Sequence, residues 1–127
     1  PIAFVQLVPG ASATADEIIR YLTDRIPERA AIPKEIHVID KMPLTAIGKP
    51  MKMVLRQQAA ETTFTTLLRA ATGLADLSVV QEDSKLHGTM LKIHVPAGAD
   101  RTTAAQQIAG AMGSFAAVHE IVWARTA

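Results

Sequence analysis

A chain of 127 residues, 49% hydrophobic and 20% charged, is long enough for one ordinary domain or two very small ones and too apolar to be disordered. A net charge of +1, with no basic run interleaved with aromatics, excludes a nucleic-acid surface built on clustered Lys and Arg. The absence of cysteine excludes disulfides and thiolate metal sites, and no apolar run approaches the roughly 20 residues that span a bilayer.

The chain opens on "PIAFVQLVPG", without Met and inside an apolar run, so it reads as a piece of a longer protein. Ile2 to Val8 has the β-branched and aromatic content of a strand, stopped by Pro9-Gly10. Thr14 with Glu17 three residues on is a capping box. Ile18, Ile19, Leu22 and Ile26 then form one helical stripe that Pro27 ends. Glu35 to Asp40 is a second strand, with Ile36 and Val38 on one face and His37 and Ile39 on the other.

A loop follows, and from about Met53 the pattern is helical again. Leu55, Ala59, Thr63, Leu67 and Ala71 recur at i+4, Phe64 and Leu68 widen the stripe, and Gly73 is a C-cap. The low helix propensity of "TTFTT" predicts a break near Thr62. Leu77–Gln81 and Thr89–Val95 read as hairpin strands, Asp100 caps a helix with a stripe of Ala104, Ala105, Ile108, Ala111, Met112 and Phe115, and Val118–Trp123 is a last strand. The class is α+β. A short strand at Lys49 to Lys52, placed before the helix, strand, strand, helix, strand order that begins at Met53, would complete a ferredoxin-like split βαβ pattern.

Few residues carry obvious chemistry. His37, His87, His94 and His119 have no metal-ligand spacing, and a surface location is the simpler reading of a His94–His119 pairing across strands. The serines lie in no nucleophile elbow, and there is no phosphate-binding glycine loop. Lys49 stands out because Gly48 and Pro50 bracket it, one freeing the backbone and the other fixing it. Alone, such a lysine is a solvated charge at a stiff tip.

Its context argues for more. "PKEIHVIDKMPLTAIGK", Pro33 to Lys49, resembles the closing segment of the AMP-forming acyl-CoA synthetases and related adenylating enzymes. Pro33, Ile36, Val38, Asp40, Met42, Pro43, Thr45, Gly48 and Lys49 fill that family's places without a gap, and "AFVQLVPG" followed by "TADEI" is similar too. Pro50 departs from the family's usual aliphatic residue, and Lys52 stands where Arg is common. The resemblance covers about residues 1–60. From residue 61 a looser one, including "HGT" at His87 to Thr89, points to the C-terminal extension of some bacterial fatty-acyl-CoA synthetases.

The resemblance implies an architecture of two parts. Residues 1–52 would be a small C-terminal ligase domain, incomplete at its N-terminus, and residues 53–127 a linking helix with a ferredoxin-like α/β extension. Lys49 would be the catalytic lysine of adenylation, Thr45 and Gly48 would belong to the substrate and nucleotide loop, and Lys52 would contact a coenzyme A phosphate or simply carry charge into a helix. The parent enzyme would use ATP, Mg2+ and coenzyme A on a carboxylate, expected to be a fatty acid. The cleft would lie against a large N-terminal domain of the same chain, in the cytoplasm, while the fragment alone would bind no cofactor and be inactive. The alternative makes residues 53–127 a ferredoxin-like module that binds a metabolite or pairs edge to edge with a second copy, and a third reading is the adenylation domain of a peptide synthetase.

Overall fold

The computed structural model describes residues 1–125 and divides the chain into two compact units, Pro1–Leu55 and Arg56–Ala127. In the first unit, strands β1 (Ile2–Val5) and β2 (Glu35–Val38) pair in parallel, Ala3 opposite Ile36 and Val5 opposite Val38. Backbone bonds from Lys34 to the Pro1 carbonyl (2.9 Å) and from Ile39 to the Val5 carbonyl (2.8 Å) extend the pair at both ends. Helix α1 (Ala15–Thr23) crosses between them, as a parallel pair requires, and a short 3-10 turn at Arg29–Ala31 leads into β2.

The capping box forms as the sequence demands: the Thr14 hydroxyl accepts from the Glu17 N–H (3.2 Å) and Glu17 Oε2 accepts from the Thr14 N–H (2.7 Å). Helix α1 stops at Thr23, before Pro27, and β1 ends at Val5 rather than Val8. Of this unit's hydrophobic side chains only Ile36 is buried. His37 stacks on Phe4 with ring centroids 5.1 Å apart.

The second unit takes most of helix α2 (Lys52–Thr72), strands β3 (Ser78–Ser84) and β4 (Gly88–Val95), helix α3 (Arg101–Met112) and strand β5 (His119–Trp123). The sheet order is β3-β4-β5, with β3 and β4 an antiparallel hairpin and β5 parallel to β4. Leu77, Val79, Leu91, Ile93 and Val95 point to one face, where Leu68 of α2 and Ala104, Ile108 and Met112 of α3 close the core. Phe64 meets Phe115 edge-on at 5.2 Å, tying α2 to the end of α3.

Three expectations fail here. The sheet has three strands, against the four of the ferredoxin pattern, and residues 49–52 supply none: Pro50 makes only an isolated bridge to Leu44. Helix α2 runs unbroken through "TTFTT" because tertiary contacts override its weak propensity. Its inward face also centres on Phe64 and Leu68, the edge of the expected stripe, rather than on its middle. Leu68 is fully buried and Phe64 packs on the core, whereas Thr63 and Ala71 are exposed.

This orientation of α2 has a visible cause. At the start of β3 and along it, Leu77, Val79 and Gln81 turn their backbone groups away from β4, and a polar row on α2 meets them. The Glu61 carboxylate accepts from the Gln81 N–H (2.8 Å), the Thr65 hydroxyl from the Val79 N–H (3.0 Å), Arg69 Nε donates to the Leu77 carbonyl (2.7 Å), and Gln57 Nε2 donates to the Gln81 carbonyl (3.4 Å). Spaced four residues apart, they stand in for a fourth strand at an edge that would otherwise be open.

Candidate functional site

The residues singled out around Lys49 gather in one small hairpin. The Thr45 N–H donates to the Lys49 carbonyl (2.8 Å), the Gly48 N–H to the Thr45 carbonyl (2.9 Å), and the Lys49 N–H to the Thr45 hydroxyl (3.1 Å). Gly48 sits at φ +79°, the left-handed conformation that closes such a turn and that a side chain would strain. The Met51 N–H donates to the Pro43 carbonyl (2.8 Å), bracketing the Leu44–Pro50 bridge between two hydrogen-bonded rungs.

That bracket explains why Pro50 is tolerated. Leu44 and Pro50 are the pair that exchanges no hydrogen bond, so the missing proline N–H costs the hairpin nothing. A further residue, which the sequence did not reveal, anchors the base: Gln6, just after β1, accepts from the Met42 N–H at 2.6 Å. The two are 36 positions apart, and no local pattern could have joined them.

Lys49 is exposed, its backbone fixed on both sides and its side chain in no ion pair among the described residues. Lys52 is the first residue of α2, whose first turn carries no acidic residue. A cation there opposes the helix dipole, so Lys52 and the first-turn N–H groups together attract an anion rather than neutralise one another. The hairpin segment itself carries exposed apolar side chains, Ile47 at 78% with Leu44 and Met51 also open, and elsewhere in the same unit Val8 is 71% and Met53 82% exposed.

The histidines do not converge. His119 lies opposite Leu91 and His94 opposite Val122, which puts these two on opposite faces of the sheet. His37 Nε2 approaches Glu35 Oε1 at 3.0 Å without an aligned hydrogen bond. Among the described residues no three His, Asp or Glu side chains are grouped to hold a metal, and no helix is long and apolar enough to cross a membrane.

Residues 1–49 match the AMP-binding enzyme C-terminal domain. The chain is 33% identical over 104 residues to the marinolic acid–CoA ligase of Pseudoalteromonas sp. (strain SANK 73390), covering 82% of this chain and 16% of that protein. It is 38% identical over 71 residues to the probable peroxisomal acyl-activating enzyme 5 of Arabidopsis thaliana, 54% of this chain and 13% of that one. A nonribosomal peptide synthetase of Emericella nidulans, asqK, is 44% identical over 48 residues, 38% of this chain and 2% of its own length. No solved structure matches. The first unit is thus similar to the C-terminal domain of adenylate-forming ligases, and the chain spans about a sixth or less of the relatives it matches.

Proposed function

We propose that this chain is the lysine-bearing end of an AMP-forming acid–thiol ligase, and that Lys49 serves the adenylation step. The observation that carries the reading is the Thr45–Lys49 hairpin, which presents a lysine in no ion pair among the described residues from a backbone locked by three hydrogen bonds. The exposed apolar side chains of Leu44, Ile47 and Met51 in the hairpin segment support docking of this surface onto a larger domain of the same protein.

In the proposed reaction a substrate carboxylate oxygen attacks the α-phosphate of ATP, forming an acyl-adenylate and releasing pyrophosphate. Coenzyme A thiol then attacks the acyl carbon, forming the thioester and releasing AMP. The first step brings two anions together. A compact ammonium on a flexible stem offsets that repulsion while orienting both partners, and it needs no unusual pKa to do so. Thr45 and Gly48 shape the loop, and Lys52, the first residue of α2, would meet a coenzyme A phosphate. A rotation of the small domain would withdraw Lys49 before the thiol arrives.

A thioester-forming ligase is favoured over a peptide synthetase by the reach of the likeness. The match to the CoA ligase, at 104 residues, is longer than the first unit and runs into the second, whereas the synthetase match stops at 48. A fatty acid is the proposed substrate and the cytoplasm the proposed compartment. The test uses the full-length protein: Lys49→Ala should lower carboxylate-dependent ATP–pyrophosphate exchange about 100-fold or more while leaving thioester formation from supplied acyl-adenylate within a few-fold of normal. Near-normal exchange would remove Lys49 from the chemistry.

A further inference from the structure

The two edges of the β3-β4-β5 sheet are treated differently. The β3 edge is covered by Gln57, Glu61, Thr65 and Arg69 of α2. On β5, the Val118 carbonyl accepts from the Leu91 N–H (2.9 Å) and the Ala124 N–H donates to the Val95 carbonyl (3.0 Å). Because a parallel ladder alternates sides, residues 118, 120, 122 and 124 face β4, and His119, Ile121 and Trp123 turn their N–H and C=O groups outward. Among the described residues nothing hydrogen-bonds to those outward groups. The strand has no proline or lysine of the kind that blunts an exposed edge, and no bulge interrupts its pairing.

We infer that this edge pairs antiparallel with β5 of a second copy, giving a twofold-symmetric dimer with one continuous sheet. The parity of the strand selects the register. Only odd residues offer outward groups, and the overlap is greatest with Ile121 on the twofold axis. Ile121 then meets Ile121, and His119 meets Trp123 as a hydrogen-bonded cross-strand aromatic pair, twice by symmetry.

Charge agrees with this register. The strand's one acidic residue, Glu120, falls opposite Val122 rather than opposite itself. The two Glu120 residues lie on a diagonal, their backbones roughly 7–8 Å apart by strand geometry. Each is registered beside Lys92, whose ammonium also meets Glu82 at 3.0 Å, so the mild repulsion is offset within each copy. Closure decides between a second copy and an unrelated strand. A foreign strand would bring another open edge, whereas a dimer through β5 has β3 at both outer edges, each already covered by α2. The inference does not depend on the adenylation reading.

A five-residue ladder is a small interface, so the dimer is weak, with Kd on the order of 10–100 μM. Sedimentation equilibrium of the 127-residue chain should show reversible doubling of the 13.6 kDa mass across that range. His119→Lys, an exposed edge substitution, should weaken association about tenfold. Because the chain has no cysteine, register can be tested by mixing Glu120→Cys chains with Val122→Cys chains under mild oxidation. The mixture should cross-link several times more efficiently than either variant alone, because 120 stands opposite 122 and neither position stands opposite itself. A chain that stays monomeric throughout, or equal cross-linking in all three reactions, would overturn the inference.

Discussion

Thr45 serves the lysine hairpin three times, through its N–H, its carbonyl and its hydroxyl. Its side chain is therefore a positioning group, whatever else it touches in the full protein. Thr45→Val removes the acceptor for the Lys49 N–H and, on the proposed adenylation role, should lower carboxylate-dependent ATP–pyrophosphate exchange by the full-length protein about tenfold, while Thr45→Ser restores it. Steady-state exchange kinetics with both variants separate this from a loss of bulk alone. Two carboxylates at helix starts give a pH prediction. Hydrogen bonds from the Thr14 backbone N–H and then its side chain hold the Glu17 carboxyl below the ordinary range, and Thr103, side chain first and backbone second, does the same for Asp100. A carboxyl whose pKa is depressed by folding contributes stability above its unfolded pKa, and that contribution disappears as pH falls through the folded value. The first turns of α1 and α3 should therefore loosen below about pH 4. The Glu17 and Thr103 amide resonances report it, and Glu17→Gln should flatten the response in α1 alone. These caps were legible from Thr14, Glu17 and Asp100, because capping acts over three residues. Gln6 was not, because its bond to Met42 exists only after β1 and β2 have paired.

At the level of elements, α2 was the segment hardest to read. Its apolar residues allow two overlapping stripes, and composition cannot choose between Leu67 and Leu68. The choice is made by the polar row at 57, 61, 65 and 69, which must meet β3. Sequence alone gave no reason to treat a glutamate, a threonine and an arginine as one functional row. Thr65→Val, nearly isosteric, leaves the Val79 N–H without a partner and should cost about 1–2 kcal/mol, and Glu61→Ala should cost a similar amount at Gln81. Urea unfolding measures both. The hairpin strands, the α3 stripe and β5 were readable because period-2 and period-3.6 patterns there have one interpretation each. Their partners were not: nothing in "VHEIVW" announced that β5 would lie directly beside β4, where the ferredoxin pattern leads one to expect an intervening strand.

For the molecule as a whole, the two units differ in what holds them. The second has a contiguous core from Leu68 and Leu77 to Ile108 and Met112, whereas the first buries Ile36 alone among its hydrophobic side chains. Buried apolar area is the main favourable term in folding, so opening should be easier in the first unit. Hydrogen exchange on the 127-residue chain should find β1 and β2 amides exchanging at least about tenfold faster than those of β4. Equal protection would mean that the first unit draws stability from elsewhere.

The row of side chains on α2 also sets a limit on itself. Four helical residues rise about 6.0 Å and two strand residues about 6.6 Å, so the two scales slip against each other like a vernier. Arg69, Thr65 and Glu61 stay in step with residues 77, 79 and 81. One repeat further, Gln57 falls short of residue 83 and reaches back to the Gln81 carbonyl in the longest bond of the set, 3.4 Å. A helix can thus shield only about three rungs of a strand, and beyond the third the chain changes its means of protection. Glu82 and Asp83, exposed and charged, take over where the vernier runs out.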